Sequence, residues 1–303
     1  MFIDAHHHLW DLASVDYPWL RQKGVSRFFG DPSPIQKDYL TSDFREDIGG
    51  QFCVGSVHVQ VGVAPCDEVA ETEWLDHQSR QTGLPSAIVA AADLRDSGLS
   101  DRIDAHLDAS ERVRGIRQIV SRHPSEDGPK DGAALLKDPA FQSGLQVLSD
   151  RGLSFDLQLT PPLLPLAADI LSDFPDLSIV LCHAGSPWDQ SEHGLRDWSK
   201  GLERLANRFR TTCKISGLGM FDPNWDPDSI APIVETVLST FGPCRTMWGS
   251  NFPVDKLYHD YISMLNTVRS LVPRTAREAV FVNTAANVYQ LGDVAQSRRP
   301  ALQ

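Results

Sequence analysis

The sequence predicts an α/β chain folded as a (β/α)8 barrel, and three observations carry the prediction. Eight short apolar, β-rich runs alternate with longer amphipathic stretches from end to end, the pattern of repeated βα units. The 303 residues suit one barrel, which needs roughly 250. Polar side chains recur where these runs end, and barrel enzymes build their sites at the C-terminal ends of strands.

The first run, 1–6, leads into His6-His7-His8. Side chains two apart on a strand share a face, so Asp4, His6 and His8 fall together. Two imidazoles at that spacing can converge on one metal ion or stand as exposed loop histidines. Residues 10–50, rich in aromatics, Pro and Gly, are too long for a simple connection and read as a lid or pocket wall. The second run, 52–61, carries His58 and Gln60, and a helical pattern at 67–82 (Glu68, Val69, Trp74, Leu75) follows. A third run spans 86–92, and the fourth, 113–120, carries Arg117 before a helix at 138–151. Asp156 and Gln158 lie on the fifth run, 153–159, with a helix at 163–174 behind it. The sixth, 177–182, ends Leu181-Cys182-His183-Ala184-Gly185 and precedes a helix at 195–207. Lys214 and Ser216 belong to the seventh, 209–215, followed by a helix at 228–241. The eighth, 244–248, ends Trp248-Gly249-Ser250-Asn251-Phe252-Pro253, with helical patterns at 258–272 and 275–290 after it. One domain then spans 1–303, with 291–303 a loose polar tail.

Any one of these polar residues alone reads as a satisfied core group. Six strand ends together do not, because each buried polar group needs a partner and an inert barrel has no use for them.

Composition excludes several functions. Forty acidic against 28 basic side chains give a net charge of −12, which repels nucleic acid and anionic membranes and points to a small-molecule substrate. The longest apolar run, Ala87–Ala92, is far too short to span a membrane. The N-terminus lacks a basic region and an apolar stretch, so a cytoplasmic location is expected. Five cysteines without a C-x-x-C spacing argue against a disulfide framework. There is no G-x-S-x-G elbow, no phosphate loop and no dinucleotide fingerprint.

The motifs in order are Asp4-Ala5-His6-His7-His8-Leu9-Trp10-Asp11, Asp16-Tyr17-Pro18-Trp19-Leu20, Gly115-Ile116-Arg117, Leu181-Cys182-His183-Ala184-Gly185-Ser186-Pro187, Lys214-Ile215-Ser216-Gly217-Leu218, Trp248-Gly249-Ser250-Asn251-Phe252-Pro253-Val254 and Asn283-Thr284-Ala285-Ala286-Asn287-Val288-Tyr289. Over almost the full chain they resemble the sugar-lactonase-like branch of the amidohydrolase-2 family in the amidohydrolase superfamily. The resemblance implies a distorted TIM barrel and a hydrolase that opens a sugar-acid or related carboxylated lactone. His6, His8 and His183 then stand at metal or substrate ligand positions, and His183 polarises the lactone carbonyl. Arg117 holds a substrate carboxylate or hydroxyl, and Lys214 is a cation near the pocket. The cofactor is one divalent metal such as Zn²⁺, or none. Homo-oligomers are common in such barrels by analogy only.

One departure matters. The hydrolytic members carry Asp where this chain has Asn251, and an amide cannot take a proton from water. Three readings follow. Asp255, Asp156 or a pocket histidine acts as the base of a hydrolase. Alternatively a substrate hydroxyl replaces water in a lactone isomerase, a relative of which also has Asn there. Third, the barrel binds a sugar acid without turnover, or works as a decarboxylase of the same family. Trp10, Tyr17, Trp19 and Phe28 either wall the pocket or pack the long segment onto the barrel; His58 and Gln158 join the candidate substrate contacts.

Overall fold

The computed structural model describes residues 1–127, 131–208 and 210–292. The expected tail beyond residue 292 and residue 209 of the expected seventh strand lie outside them.

Eight strands run in the sequence order: β1 (Phe2–His7), β2 (Cys53–Val59), β3 (Ala87–Ala91), β4 (Val113–Arg117), β5 (Ser154–Leu157), β6 (Ser178–Leu181), β7 (Thr211–Ile215) and β8 (Thr246–Trp248). Each is hydrogen-bonded in parallel to the next. The seam between β8 and β1 is made beyond β8's end, where Asn251 N donates to His6 O and His8 N donates to Phe252 O, both at 2.7 Å. The result is the nearly closed (β/α)8 barrel expected. Gly249 is required at this seam, because a Cβ there would lie 2.5 Å from His6 Cβ and 2.7 Å from its backbone nitrogen.

The strands form because runs such as Ala87–Ala91 and Ser178–Leu181 are apolar and β-branched, and fully parallel strands are covered on both faces. The helices outside them are α1 (Pro18–Arg21), α2 (Thr41–Ile48), α3 (Glu68–Thr82), α4 (Leu99–Ala109), α5 (Asp131–Lys137), α6 (Pro139–Asp150), α7 (Leu164–Leu171), α8 (Glu192–Ala206), α9 (Pro227–Phe241), α10 (Tyr261–Leu271) and α11 (Thr284–Val288). Caps set several boundaries that periodicity placed a few residues off. Ser191 accepts from Gly194 N and starts α8 before 195, and Asp260 accepts from Ser263 N and starts α10 after 258. The pattern at 275–290 breaks into a 3-10 turn, a π turn at Ala279–Asn283 and α11. Helices α1 and α2 fall inside the long 10–50 segment, whose ends are drawn together by the antiparallel bridge of Trp10 with Tyr39.

Register explains the first strand's unusual density of histidines. Asp4 pairs with Ser56 but His7 with His58, so β1 carries one extra residue between them. Such a bulge re-aims side chains. His7 turns away to stack on Phe44, with ring centroids 4.1 Å apart, and meets Ser56 Oγ at 2.9 Å. Among the described residues no helix is long and apolar enough to cross a membrane.

Candidate active site

A cavity of about 260 Å³ opens at the C-terminal end of the barrel. From the barrel come His8, Arg117, Gln158, His183 and Asn251; from the long segment come Trp19, Arg27, Phe28 and Phe29; Arg122 follows β4. Among the described residues no carboxylate stands in this wall, and three arginines do.

The strand-end residues are held by backbone geometry that ordinary residues resist. His183 and Asn251 adopt φ of 53° and 57°. Asn and His tolerate this left-handed region better than most residues. The turn that carries His183 is anchored by Trp198 Nε1 donating to Ala184 O at 2.7 Å. Gly217, with φ of 64°, clears room for the imidazole, since a Cβ would lie 2.4 Å from His183 Nδ1.

Burial holds the imidazoles of His6, His7, His8 and His183 neutral by pushing their pKa values well below the ordinary one; for His183 the Arg117 charge adds to this. The tautomer of His8 follows from its partner. Its Nδ1 lies 2.7 Å from Val59 O, which only accepts, so Nδ1 carries the proton and Nε2 is a bare lone pair, 3.2 Å from Asn251 Oδ1. His183 Nδ1 sits 3.1 Å from Ser216 Oγ. Arg117 is buried with only neutral partners: Nη1 donates to Gln158 Oε1 at 3.1 Å, Nη2 to Gln60 O, and Nε has none. Gln158 thus orients the guanidinium.

The other expected residues lie elsewhere. Lys214 and Asp156 are each 0% exposed and paired at 2.7 Å inside the barrel. Asp156 also accepts from Tyr289 Oη at 2.7 Å and Ser154 Oγ at 3.0 Å, so neither reaches a ligand in the cavity. His58 accepts from Leu9 N at 3.1 Å and faces Glu71, bracing the end of β1. Trp10 Nε1 donates to Lys37 O, and its ring packs on Tyr17, Trp19 and Tyr39. None of these four lines the cavity: the first pair satisfies itself, and the other two hold the long segment and β1. Asp255 stands one layer behind the wall, accepting from Asn251 Nδ2 at 3.1 Å. Asp4 ties the seam together by accepting from His6 N, Ser250 N and Tyr261 Oη. Burial pushes its carboxyl up to about 6.

Arg27 and Arg122 were missed by sequence reasoning. Each is paired to a neighbouring acid, Arg27 to Glu126 and Arg122 to Asp127, both at 3.0 Å. Arg122 had a signal, since it lies just past a strand end. Arg27 had none, because only the folding of the long segment over the barrel brings it to the cavity. Glu126 also accepts from Phe28 N at 2.9 Å, and Phe28 stacks on His123, so the segment is fastened to the loop after β4.

A metal fits this set poorly. His6 is the part that fits: both its ring nitrogens are buried without a partner, 4.5 Å and 5.1 Å separating its ring centroid from those of His183 and His8. Yet among the described residues no three His, Cys, Asp or Glu side chains converge as ligands would, and the cavity wall offers no anion. Three neutral imidazoles also leave the charge of a divalent ion uncompensated, where a carboxylate ligand would offset it. No step below runs through a metal.

Comparison with known proteins agrees with this architecture. The Amidohydrolase family model matches residues 3–291. An uncharacterized protein of Sinorhizobium fredii is 38% identical over 295 residues, covering 95% of this chain and 98% of that one. An L-fucono-1,5-lactonase of Burkholderia ambifaria is 28% identical over 298 residues, covering 95% of each. Among solved structures, an amidohydrolase from Burkholderia multivorans with bound zinc superimposes with a TM-score of 0.81 at 26% identity, over 96% of this chain and 99% of that one. A barrel of eight parallel strands, a cavity carrying histidine and arginine at their C-terminal ends and a family match over nearly its whole length together make this chain an enzyme of the amidohydrolase family.

Proposed function

We propose that the enzyme hydrolyses a small lactone bearing a carboxylate, a sugar-acid lactone or a related ring. The observation that carries this reading is Arg117 in the cavity wall: among the described residues the wall holds no acid, and of its three arginines Arg27 and Arg122 are already paired to Glu126 and Asp127 while Arg117 has only neutral partners. Arg117, buried with an unpartnered Nε, is a cation in want of an anion. Lactone chemistry is supported by the similarity to the Burkholderia ambifaria lactonase.

In this reading Arg117 grips the substrate carboxylate. In the tautomer whose Nδ1 accepts from Ser216 Oγ, His183 donates Nε2–H to the lactone carbonyl and stabilises the oxyanion. His8 is the base, because its Nε2 lone pair faces the cavity and its neutral form persists at physiological pH. Water's oxygen bonds to the acyl carbon as His8 Nε2 takes its proton. The ring C–O bond then breaks, and that proton passes to the departing ring oxygen.

A second reading is favoured by the acid-free wall: a substrate hydroxyl, needing only an imidazole base, attacks in place of water and the ring migrates. A proton NMR time course with 1,4- and 1,5-aldonolactones and aldarolactones separates the two. Free acid establishes hydrolysis and a second lactone establishes isomerisation. Unchanged spectra across the carboxylated members overturn both.

A further inference from the structure

We propose that Asp255 is a positioning residue that fixes which end of the Asn251 amide faces the cavity, so that Asn251 Oδ1 and His8 Nε2 together hold the two hydrogens of the attacking water. The inference rests on the hydrolytic reading above and assigns a role to a group that does not itself touch the cavity.

His8 has committed its one proton to Val59 O, so Nε2 can only accept. An ionised carboxylate also only accepts, and Asp255 Oδ1 lies 3.1 Å from Asn251 Nδ2. The amide therefore turns its NH2 to Asp255 and its oxygen to His8. This leaves two lone pairs 3.2 Å apart with no hydrogen between them. Both residues line the cavity. A molecule that donates two hydrogens from one oxygen relieves the conflict, and water is the smallest.

The pair is held as a rigid unit. Asn251 N donates to His6 O, and Asp255 N donates to Asn251 O at 3.2 Å, so the two residues are joined by backbone as well as side chain. Asp255 is 1% exposed. Its carboxyl accepts from the Asn251 amide and the Gly219 N–H; of the titratable neighbours, Tyr258 directs its hydroxyl to Phe29 O, His259 packs its ring on Trp225, and Lys256 turns to Asp47 at 2.6 Å. With no cation beside it, burial pushes the Asp255 carboxyl up to about 7. When protonated it becomes a donor, the amide turns over, and Asn251 then donates its NH2 to His8 Nε2, blocking the base.

The test compares wild type with Asp255→Asn and Asp255→Leu. Asparagine keeps an acceptor for the Asn251 NH2; leucine removes it. Asp255→Leu is expected to lower kcat about 10²-fold, the usual cost of misplacing a reacting group, with KM changed less than about threefold. Wild type is expected to show an acid limb near pH 7; Asp255→Asn is expected to retain more activity than Asp255→Leu and to lack that limb. Equal loss in both variants, or an acid limb that persists in Asp255→Asn, overturns the proposal. Because Asp255→Leu can fail to fold, the isosteric Asp255→Asn carries a second readout: the Asn251 side-chain NH2 signals, in protein labelled at asparagine nitrogen, shift through about pH 7 in wild type and stay fixed in Asp255→Asn. Signals that ignore both pH and Asp255 overturn the positioning role even in an active lactonase. Signals that respond in a wild type that opens no lactone overturn the hydrolytic reading and with it the water-holding role.

Discussion

Two polar clusters share one barrel, and they differ in whether their hydrogen bonds are complete. Inside the strands Lys214, Asp156, Ser154 and Tyr289 satisfy one another in a sealed network. Above it, at the strand ends, Arg117 Nε lacks a partner and His8 Nε2 meets only another acceptor. Both clusters come from polar residues at strand positions that a sequence treats alike. The difference teaches that a buried charge marks chemistry only where its partners are missing, because a closed pair has nothing left to offer a ligand.

The largest expected effect breaks the closed cluster. Lys214→Met leaves Asp156 as an uncompensated buried charge and should cost about 3–5 kcal/mol, read by urea unfolding, while the KM of the folded fraction stays near wild type. A tenfold rise in KM without loss of stability would return Lys214 to the substrate site. Next comes the open cluster. His183→Ala should lower kcat by ~10²–10³, the effect of losing one oxyanion donor, with little change in melting temperature; near wild-type turnover on a hydrolysed lactone removes His183 from the mechanism. Arg117→Ala should raise KM for a carboxylated lactone by ~10–10², since a hydrogen bond to a charged group contributes about 1.5–3 kcal/mol, and should spare a neutral lactone. Equal losses on both would show that Arg117 shapes the wall rather than reading charge.

The smallest effect is in pH. Four imidazoles kept neutral by burial bind fewer protons folded than unfolded, so stability falls as pH drops below the ordinary histidine value of about 6.5. Asp4 and Asp255, raised to about 6 and about 7, bind more protons folded, so their contribution declines as pH climbs from about 4 toward 7. Asp255→Asn should therefore gain about 1 kcal/mol over wild type at pH 8 after the lost charge-assisted bond is counted, and less at pH 5. Urea midpoints at the two pH values decide it.

Much of the fold was legible because parallel strands covered on both faces must be short apolar runs, and helices must lie between them. That Arg117, Gln158, His183 and Asn251 would meet around one cavity was legible because a barrel puts its strand ends in one place. Trp10 was not, since aromatic composition does not say which way a ring faces; it packs on Tyr17 and Tyr39 while Trp19 and Phe28 take the cavity. Asp156 and Lys214 looked like site residues because their pairing joins β5 to β7, a contact that exists only once the strands curl.

By itself the sequence determined the alternation of strands and helices, the histidine and arginine strand ends and the replacement of an acid by Asn251, all local properties of period and residue type. The tertiary structure decided which polar groups were left unsatisfied. That choice depends on distances between residues far apart in the chain, such as His8 with Asn251 and Arg27 with the barrel mouth, and hydrogen bonding is settled by distance and direction, which a residue's identity does not contain.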